Sequence, residues 1–360
     1  MITTSILAIS FAHLAFMPAK TEWAVLPPIV HKNLAIYPVV DRANSNVGTN
    51  YITLDEGLKT GTVRVTEMDE GTPLIRPRNG VPAGQTANSQ QRTQSHGAQV
   101  NSLAIINESG KMLILMAGEM VIGGKQDRII QKDGLIAPSK YAQSLEVFCV
   151  EHGRWSGNVS GFTPAPNSAG KAGAGGYGGG GAVADPTIRG SAQSAGSQSE
   201  VWAKVEDKNR KSGVATEATT YQGTLNSAKN QKDSGDYLKA MEAKFPKKAA
   251  VGAIVSVNGH LIWADCFADD SIFQKYEGKL MRSYVVEAIT EFLPSTAYDH
   301  PSAAKAREFL FDNSGTSTFE GKSDVYKLTR IVGKSHLIHE LTDVTGKGSL
   351  AVHFNKMLKK

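Results

Sequence analysis

The chain has 360 residues, 41% hydrophobic and 20% charged, which is ordinary for a globular protein and long enough for two cores. Its 39 Lys and Arg against 34 Asp and Glu give a net charge of +5, spread out and without a basic patch interleaved with aromatics, so nucleic acid is not an expected partner. Two cysteines, Cys149 and Cys266, exclude a disulfide framework and a zinc site built of thiolates.

Residues 5–17 (SILAISFAHLAFM) form a short apolar segment followed by Pro18-Ala19-Lys20. Its length suits a signal-peptide core better than a membrane span, although no Lys or Arg precedes it and His13 interrupts it. The expectation is a secreted or periplasmic protein with a signal peptide over 1–19; a cytoplasmic location is the alternative. No later segment is long enough to make a stable membrane span.

From Lys20 the pattern is of short strands. Residues 34–40 read as a strand near a sheet edge because of Pro38, 51–61 as a short helical turn closed by Gly61, and 62–67 as an alternating, half-exposed strand. Residues 73–97 are a long polar loop. Strands are expected over 100–107 and 112–122, the latter apolar on both period-2 faces as if buried on both sides. Gly123-Gly124 breaks it, 128–130 resumes it, and turns at Asp133-Gly134 and Pro138-Ser139 lead to a strand over 145–150. Strands at this spacing predict an antiparallel β-sandwich or jelly-roll-like domain over 20–162.

Residues 163–198 are low in complexity, with Gly, Ala and Lys dominating 170–181, and are expected to form a flexible insert. From Ser199 the composition changes. Helices are predicted from 199 and over 237–245, then a hairpin around Asn258-Gly259, an amphipathic helix over 271–293 stopped by Pro294, and a helix over 300–310. Three strands over 325–332, 335–341 and 349–354 end the chain. The fold class is α+β, its second portion (199–360) carrying a hairpin packed on a long helix.

Chemistry concentrates at 111–155. Glu119 is a carboxylate inside an apolar run and has to be paired, protonated or hydrogen-bonded. Alternation puts Cys149 and His152 on opposite faces of one strand, which argues against a thiol–imidazole pair, because such a pair needs hydrogen-bond reach. The carboxylates Glu119, Asp127 and Glu151 flank strand ends, and separated carboxyl pairs run glycosidic chemistry. Glu119, Glu151 and His152 are therefore the candidate acid–base residues. No second ligand stands at metal spacing from His152, so no metal and no cofactor are expected. Lys125, Gln126, Asp127, Arg128, Arg154 and Trp155 form the candidate ligand-binding set: Arg forks suit phosphate, a Trp face suits a ring, and Gly123-Gly124 lets backbone approach a ligand. These residues also read as an internal salt-bridge network with a structural Trp.

The motifs Ala117-Gly118-Glu119, 123–128 (GGKQDR) and 148–155 (FCVEHGRW) resemble the ARG-and-rhodanese-phosphatase-superfamily-associated protein domain. So do 34–40, Leu54-Asp55-Glu56-Gly57-Leu58, Glu67, the 253–267 hairpin and 279–284 (KLMRSY), covering most of 30–290. The family is named for gene neighbourhoods with ADP-ribosylglycohydrolases and rhodanese- or phosphatase-like proteins. The resemblance implies a role in ADP-ribose or NAD-linked metabolism without assigning a reaction. A small phosphorylated sugar or nucleotide is the expected ligand; an exported non-enzymatic interaction module and a carboxylate-driven glycoside hydrolase are the alternatives.

Overall fold

The computed structural model describes residues 23–41, 47–68, 101–151, 162–164, 181–194, 197–215, 220–294, 297–346 and 349–359. Its fold is α+β with extensive antiparallel sheets. The largest sheet draws on both ends of the chain. Its early strands are β1 (Trp23–Val25), β2 (Ile29–His31) and β3 (Leu34–Asp41). β1 and β2 both pair with β3, and β3 pairs with β13 (Ala250–Val257) across more than 200 residues of sequence. The order continues through β14 (His260–Phe267), β18 (Leu350–Leu358), β17 (His336–Asp343) and β16 (Tyr326–Val332) to β15 (Thr316–Lys322) at the edge. The first strands of the 20–162 segment, expected as a mostly-β domain, lie in the same sheet as strands of the second half.

Alternation sets the two faces of that sheet. Ile36, Val255, Trp263, Leu337 and Met357 point to one core, shared with α5 (Ala228–Glu242) and α6 (Asp270–Thr290). Tyr37, Ile254, Ala264, Ile338 and Phe354 point to the other, closed by Ala306 and Leu310 of α7 (Ala303–Phe311). α6 starts where Asp269 caps it, its Oδ1 accepting from the Ile272 amide at 3.0 Å. Phe273, Tyr276, Leu280, Tyr284 and Ile289 are buried on it, each contributing about 1.5–3 kcal/mol of apolar burial. The Asn258-Gly259 hairpin forms as predicted, with φ of 53° and 80° at the two turn residues.

The predicted strand over 112–122 is two strands in two sheets. β7 (Met112–Leu115) lies between β10 (Gly134–Ile136) and β4 (Tyr51–Thr53), the latter running parallel to it. β8 (Met120–Gly123) belongs to a six-stranded antiparallel sheet with β12 (Phe162–Pro164), β9 (Arg128–Ile130), β11 (Ser139–Cys149), β6 (Ser102–Asn107) and β5 (Val63–Glu67). The break falls at Gly118, whose φ of +86° turns the chain; a Cβ there would lie 2.3 Å from Cγ of Arg189. Sheet edges β12 and β5 meet, so the six strands curl into a nearly closed barrel. Leu103, Ile105, Val121, Ile130, Val147 and Phe162 fill it, with Leu54 of α1 (Leu54–Thr60) packed against them.

Inside the expected flexible insert lies a buried helix, α2 (Pro186–Ser194). Asp185 Oδ1 accepts from the Thr187 and Ile188 amides at 3.1 and 3.3 Å, and Pro186 takes the first position, where no amide is needed. The Asp185-Pro186 pair followed by Ile188 and Ala192 is a readable helix start, hidden by the composition around it. α3 (Gln198–Lys211) and α4 (Tyr221–Asn226) follow and pack between α2 and the barrel.

Candidate functional site

β8 ends in two glycines with positive φ, Gly123 at 115° and Gly124 at 54°. A Cβ on Gly124 would stand 2.3 Å from the Phe162 ring and 2.6 Å from Glu67 Oε1, so only glycine fits. The turn that follows is tied down from four elements. The Lys125 amide donates to Glu67 Oε1 at 2.7 Å, and the Gly123 amide to Asp127 Oδ1 at 3.3 Å. Glu151 Oε2 accepts from the Asp127 amide at 3.1 Å, its carbonyl accepts from Gln126 Nε2 at 3.0 Å, and Gln222 donates to the Asp127 carboxylate. Gln198 clamps the Cys149 backbone in both directions at 2.8 Å. Lys125, Gln126, Asp127, Arg128 and Glu151 are thus gathered at one end of the barrel.

Arg128 is the outlier there. It shares a strand face with Ile130, and its cross-strand partners are Cys149 on β11 and Val121 on β8. Ile130, Val121 and Val147 line the barrel core, so alternation turns Arg128 and Cys149 inward. Arg128 is 0% exposed; Nη1 reaches the Asp127 carbonyl at 3.4 Å, while Nε and Nη2 have no hydrogen-bond partner among the described residues. It makes no ion pair among the described residues, and a buried cation held without one costs several kcal/mol. The adjacent thiol does not offset it. Burial pushes Cys149 up to about 11 against the pull of Arg128, with Glu67 and Glu151 adding to the rise, and its Sγ donates to Gln126 Oε1 at 3.1 Å. The thiol is neutral at physiological pH.

Glu119 lies elsewhere. It sits in the turn before β8, roughly 13 Å of strand away from Gly123, and its Oε2 accepts from the Met116 amide at 2.7 Å. Its other oxygen pairs with Lys279 of α6, which also holds Asp55 Oδ2 at 2.7 Å. Burial raises the Glu119 carboxyl and Asp55 adds to that, against Lys279 and the Met116 amide. Burial also opposes the Lys279 charge, yet Asp55 and Glu119 hold it above its ordinary value. A charged Lys279 shared by two carboxylates reconciles the two. Three of the motifs read from the sequence (Asp55, Glu119 and Lys279) therefore converge on one buried ion cluster.

A second buried network, missed in the sequence, joins the barrel to the large sheet. Arg189 of α2 forks onto Asp265 at 2.8 and 2.9 Å and donates through Nε to the Ala117 carbonyl at 3.1 Å. Trp263, Tyr284 and Asn355 also donate to Asp265, at 2.9, 2.6 and 3.1 Å. His353 bridges Asp265 at 3.2 Å and Asp133 at 2.6 Å, and Asp133 accepts the Ala117 amide at 2.7 Å. Burial works against the His353 charge, but Asp133 and Asp265 raise it to about 9. Burial likewise opposes ionisation of Asp265, and Arg189 and His353 overcome it and hold the carboxyl far below its usual range. These residues come from four elements and two connecting segments, and no local pattern marks them.

His152, Arg154 and Trp155 lie outside the described residues. Among the described residues no group of three or more His, Cys, Asp or Glu is placed to hold a metal ion, and no helix is long and apolar enough to cross a membrane. Glu67, Cys149, Gln198 and Gln222 are site neighbours that the sequence reading did not place in the site. Their contacts span up to 95 residues of sequence, so spacing carried no signal for them.

The molecule is an α+β protein in which a small, nearly closed barrel, carrying at one end a buried arginine with two unpartnered nitrogens, is ionically locked onto a large antiparallel sheet. A family model, the ARG and Rhodanese-Phosphatase-superfamily-associated Protein domain (ARPP-1), matches residues 22–350. The chain belongs to that family. No curated protein and no solved structure matches it.

Proposed function

We propose that the Arg128 end of the barrel binds the anionic group of a phosphorylated sugar or nucleotide, of the ADP-ribose type that the family's genomic associations imply. One observation carries the reading. Nε and Nη2 of Arg128, the side-on pair of a guanidinium fork, are buried and unpartnered, and that pair is the geometry that grips two oxygens of one phosphate. In this reading Lys125 adds positive charge, Gln126 and Asp127 meet hydroxyls, and Arg154 and Trp155, outside the described residues, are the candidates for a further phosphate contact and for stacking on a ring. Glu151, with His152, is the candidate acid–base group of any turnover. Glu119, paired to Lys279 in a separate cluster, supports the ion lock more directly than chemistry on the same ligand. A glycoside hydrolase flanks one bond with carboxyls about 5–9.5 Å apart. The separate placement of Glu119 and Glu151 makes that alternative the less supported.

Calorimetric titration with ADP-ribose, NAD and inorganic phosphate tests the reading. Saturable heat is expected for the native protein and is expected to vanish in Arg128→Met, whose circular dichroism stays unchanged. No heat from the native protein at millimolar concentrations of all three would remove it.

A further inference from the structure

A cleft of about 600 Å³ opens on the far side of α2, between that helix, α3 and the exposed ends of β14, β17 and β18. That is the size of a small-molecule site. Its floor is apolar: Ile262, Trp263, Leu337 and Met357 line it. The wall on α2 is built from small residues, and a Cβ added to Gly190 would lie 3.5 Å from Met357 Sδ and 3.6 Å from the Trp263 ring, in ordinary contact. The helix thus stands one side chain away from the floor and leaves the gap unfilled. Ser191 supplies the second observation. It is 8% exposed, lines the cleft, and its hydroxyl has no hydrogen-bond partner.

The charges around the cleft divide into two kinds. Glu287, on the inner wall, is fully committed: it accepts from the Thr187 hydroxyl at 2.7 Å, the Thr187 amide at 3.1 Å and Lys208 at 2.9 Å. At the rim, Lys204 is exposed and has no ion-pair partner among the described residues, while Lys359 donates to the Gly333 carbonyl at 2.8 Å and keeps further N–H groups. Glu200 is the single rim carboxylate against these two cations.

We infer that this cleft is a second, separate binding site, for a small amphipathic acid with an apolar ring or chain and one anionic group. The apolar body lies on the Trp263–Met357 floor, the Ser191 hydroxyl meets a polar atom along it, and Lys204 and Lys359 hold the anionic end. It is independent of the Arg128 site, from which the helices α2 and α3 separate it.

The probe is 8-anilinonaphthalene-1-sulfonate, an aromatic body with one anionic group, followed by its fluorescence and displaced by 1-naphthoate. One saturable site per chain is expected. Gly190→Leu fills the gap and abolishes the signal, Lys204→Glu weakens binding about tenfold, and Arg128→Met leaves it unchanged. Ala203→Trp, on the exposed α3 wall, closes the cleft from the other side and serves where Gly190→Leu fails to fold. Unsaturable enhancement, or undiminished binding in a folded cleft-filling variant, overturns the inference. Loss of binding in Arg128→Met would do the same, because it would place the probe at the barrel end. Loss of ADP-ribose binding with the probe site intact would count against the proposed function alone.

Discussion

Arg128 and Arg189 are both fully buried arginines, one at the end of the small barrel and the other at its joint with the large sheet, and they are held in opposite ways. Arg189 has a bidentate carboxylate, a backbone carbonyl and the face of Trp263 at 4.7 Å. Arg128 has one long bond to a carbonyl and two unpartnered nitrogens. A buried ion whose every bond is made belongs to the fold, because removing either partner strands the other. A buried ion left without a partner weakens the fold and has a use only when something outside the chain completes it. The same residue type therefore marks structure in one place and the proposed ligand site in the other.

The comparison is broken most directly at the joint. Arg189→Met strands Asp265 and is expected to cost about 3–5 kcal/mol, read as a lowered denaturant midpoint with the slope unchanged. The next effect is a pH dependence. The folded protein holds the His353 proton up to about 9, whereas the unfolded imidazole lets it go near 6.5. The stabilisation is complete below pH 6.5 and is lost as the pH rises through 9, amounting to about 3 kcal/mol over that window. Denaturation midpoints between pH 6 and 10 measure this, and His353→Asn should flatten that part of the profile while lowering stability at pH 6.

At the barrel end the sign reverses. Arg128→Met removes an uncompensated charge and should leave the protein as stable or about 1 kcal/mol more stable. A loss of 3 kcal/mol there would mean that Arg128 is held as Arg189 is, and the contrast would collapse. The smallest effect is at the neighbouring thiol. Cys149→Ser keeps a donor toward Gln126 and should change stability by less than about 1 kcal/mol. Native protein at pH 8 should resist alkylation, since burial holds the Cys149 and Cys266 thiols well above their ordinary range.

Much of the secondary structure was legible because its causes are local. The Asn258-Gly259 turn, the helix α6 and the strands β16 to β18 follow from turn chemistry and periodicity within a few residues. The errors fell where composition masked a local signal. Gly118 was read as part of one strand because its neighbours are apolar on both sides, and α2 was read as linker because glycine and serine surround Asp185-Pro186. The site divides in the same way. The 123–128 turn was found from its own sequence, and alternation correctly turned Cys149 away from the face of Phe148. That Glu119 leaves this group for Lys279 depended on where α6 docks, 160 residues away.

The sequence by itself determined that this chain is α+β and which family its motifs resemble. Those properties rest on short-range order: residue periodicity, turn residues and contiguous motifs. Only the tertiary structure decided which charges are paired. Arg128 and Arg189 look alike in sequence, and what separates them is a carboxylate delivered to one by β14 and to the other by no element of the described chain. Pairing of buried charge is a property of docking between distant segments, so it becomes readable only when the sheets have closed.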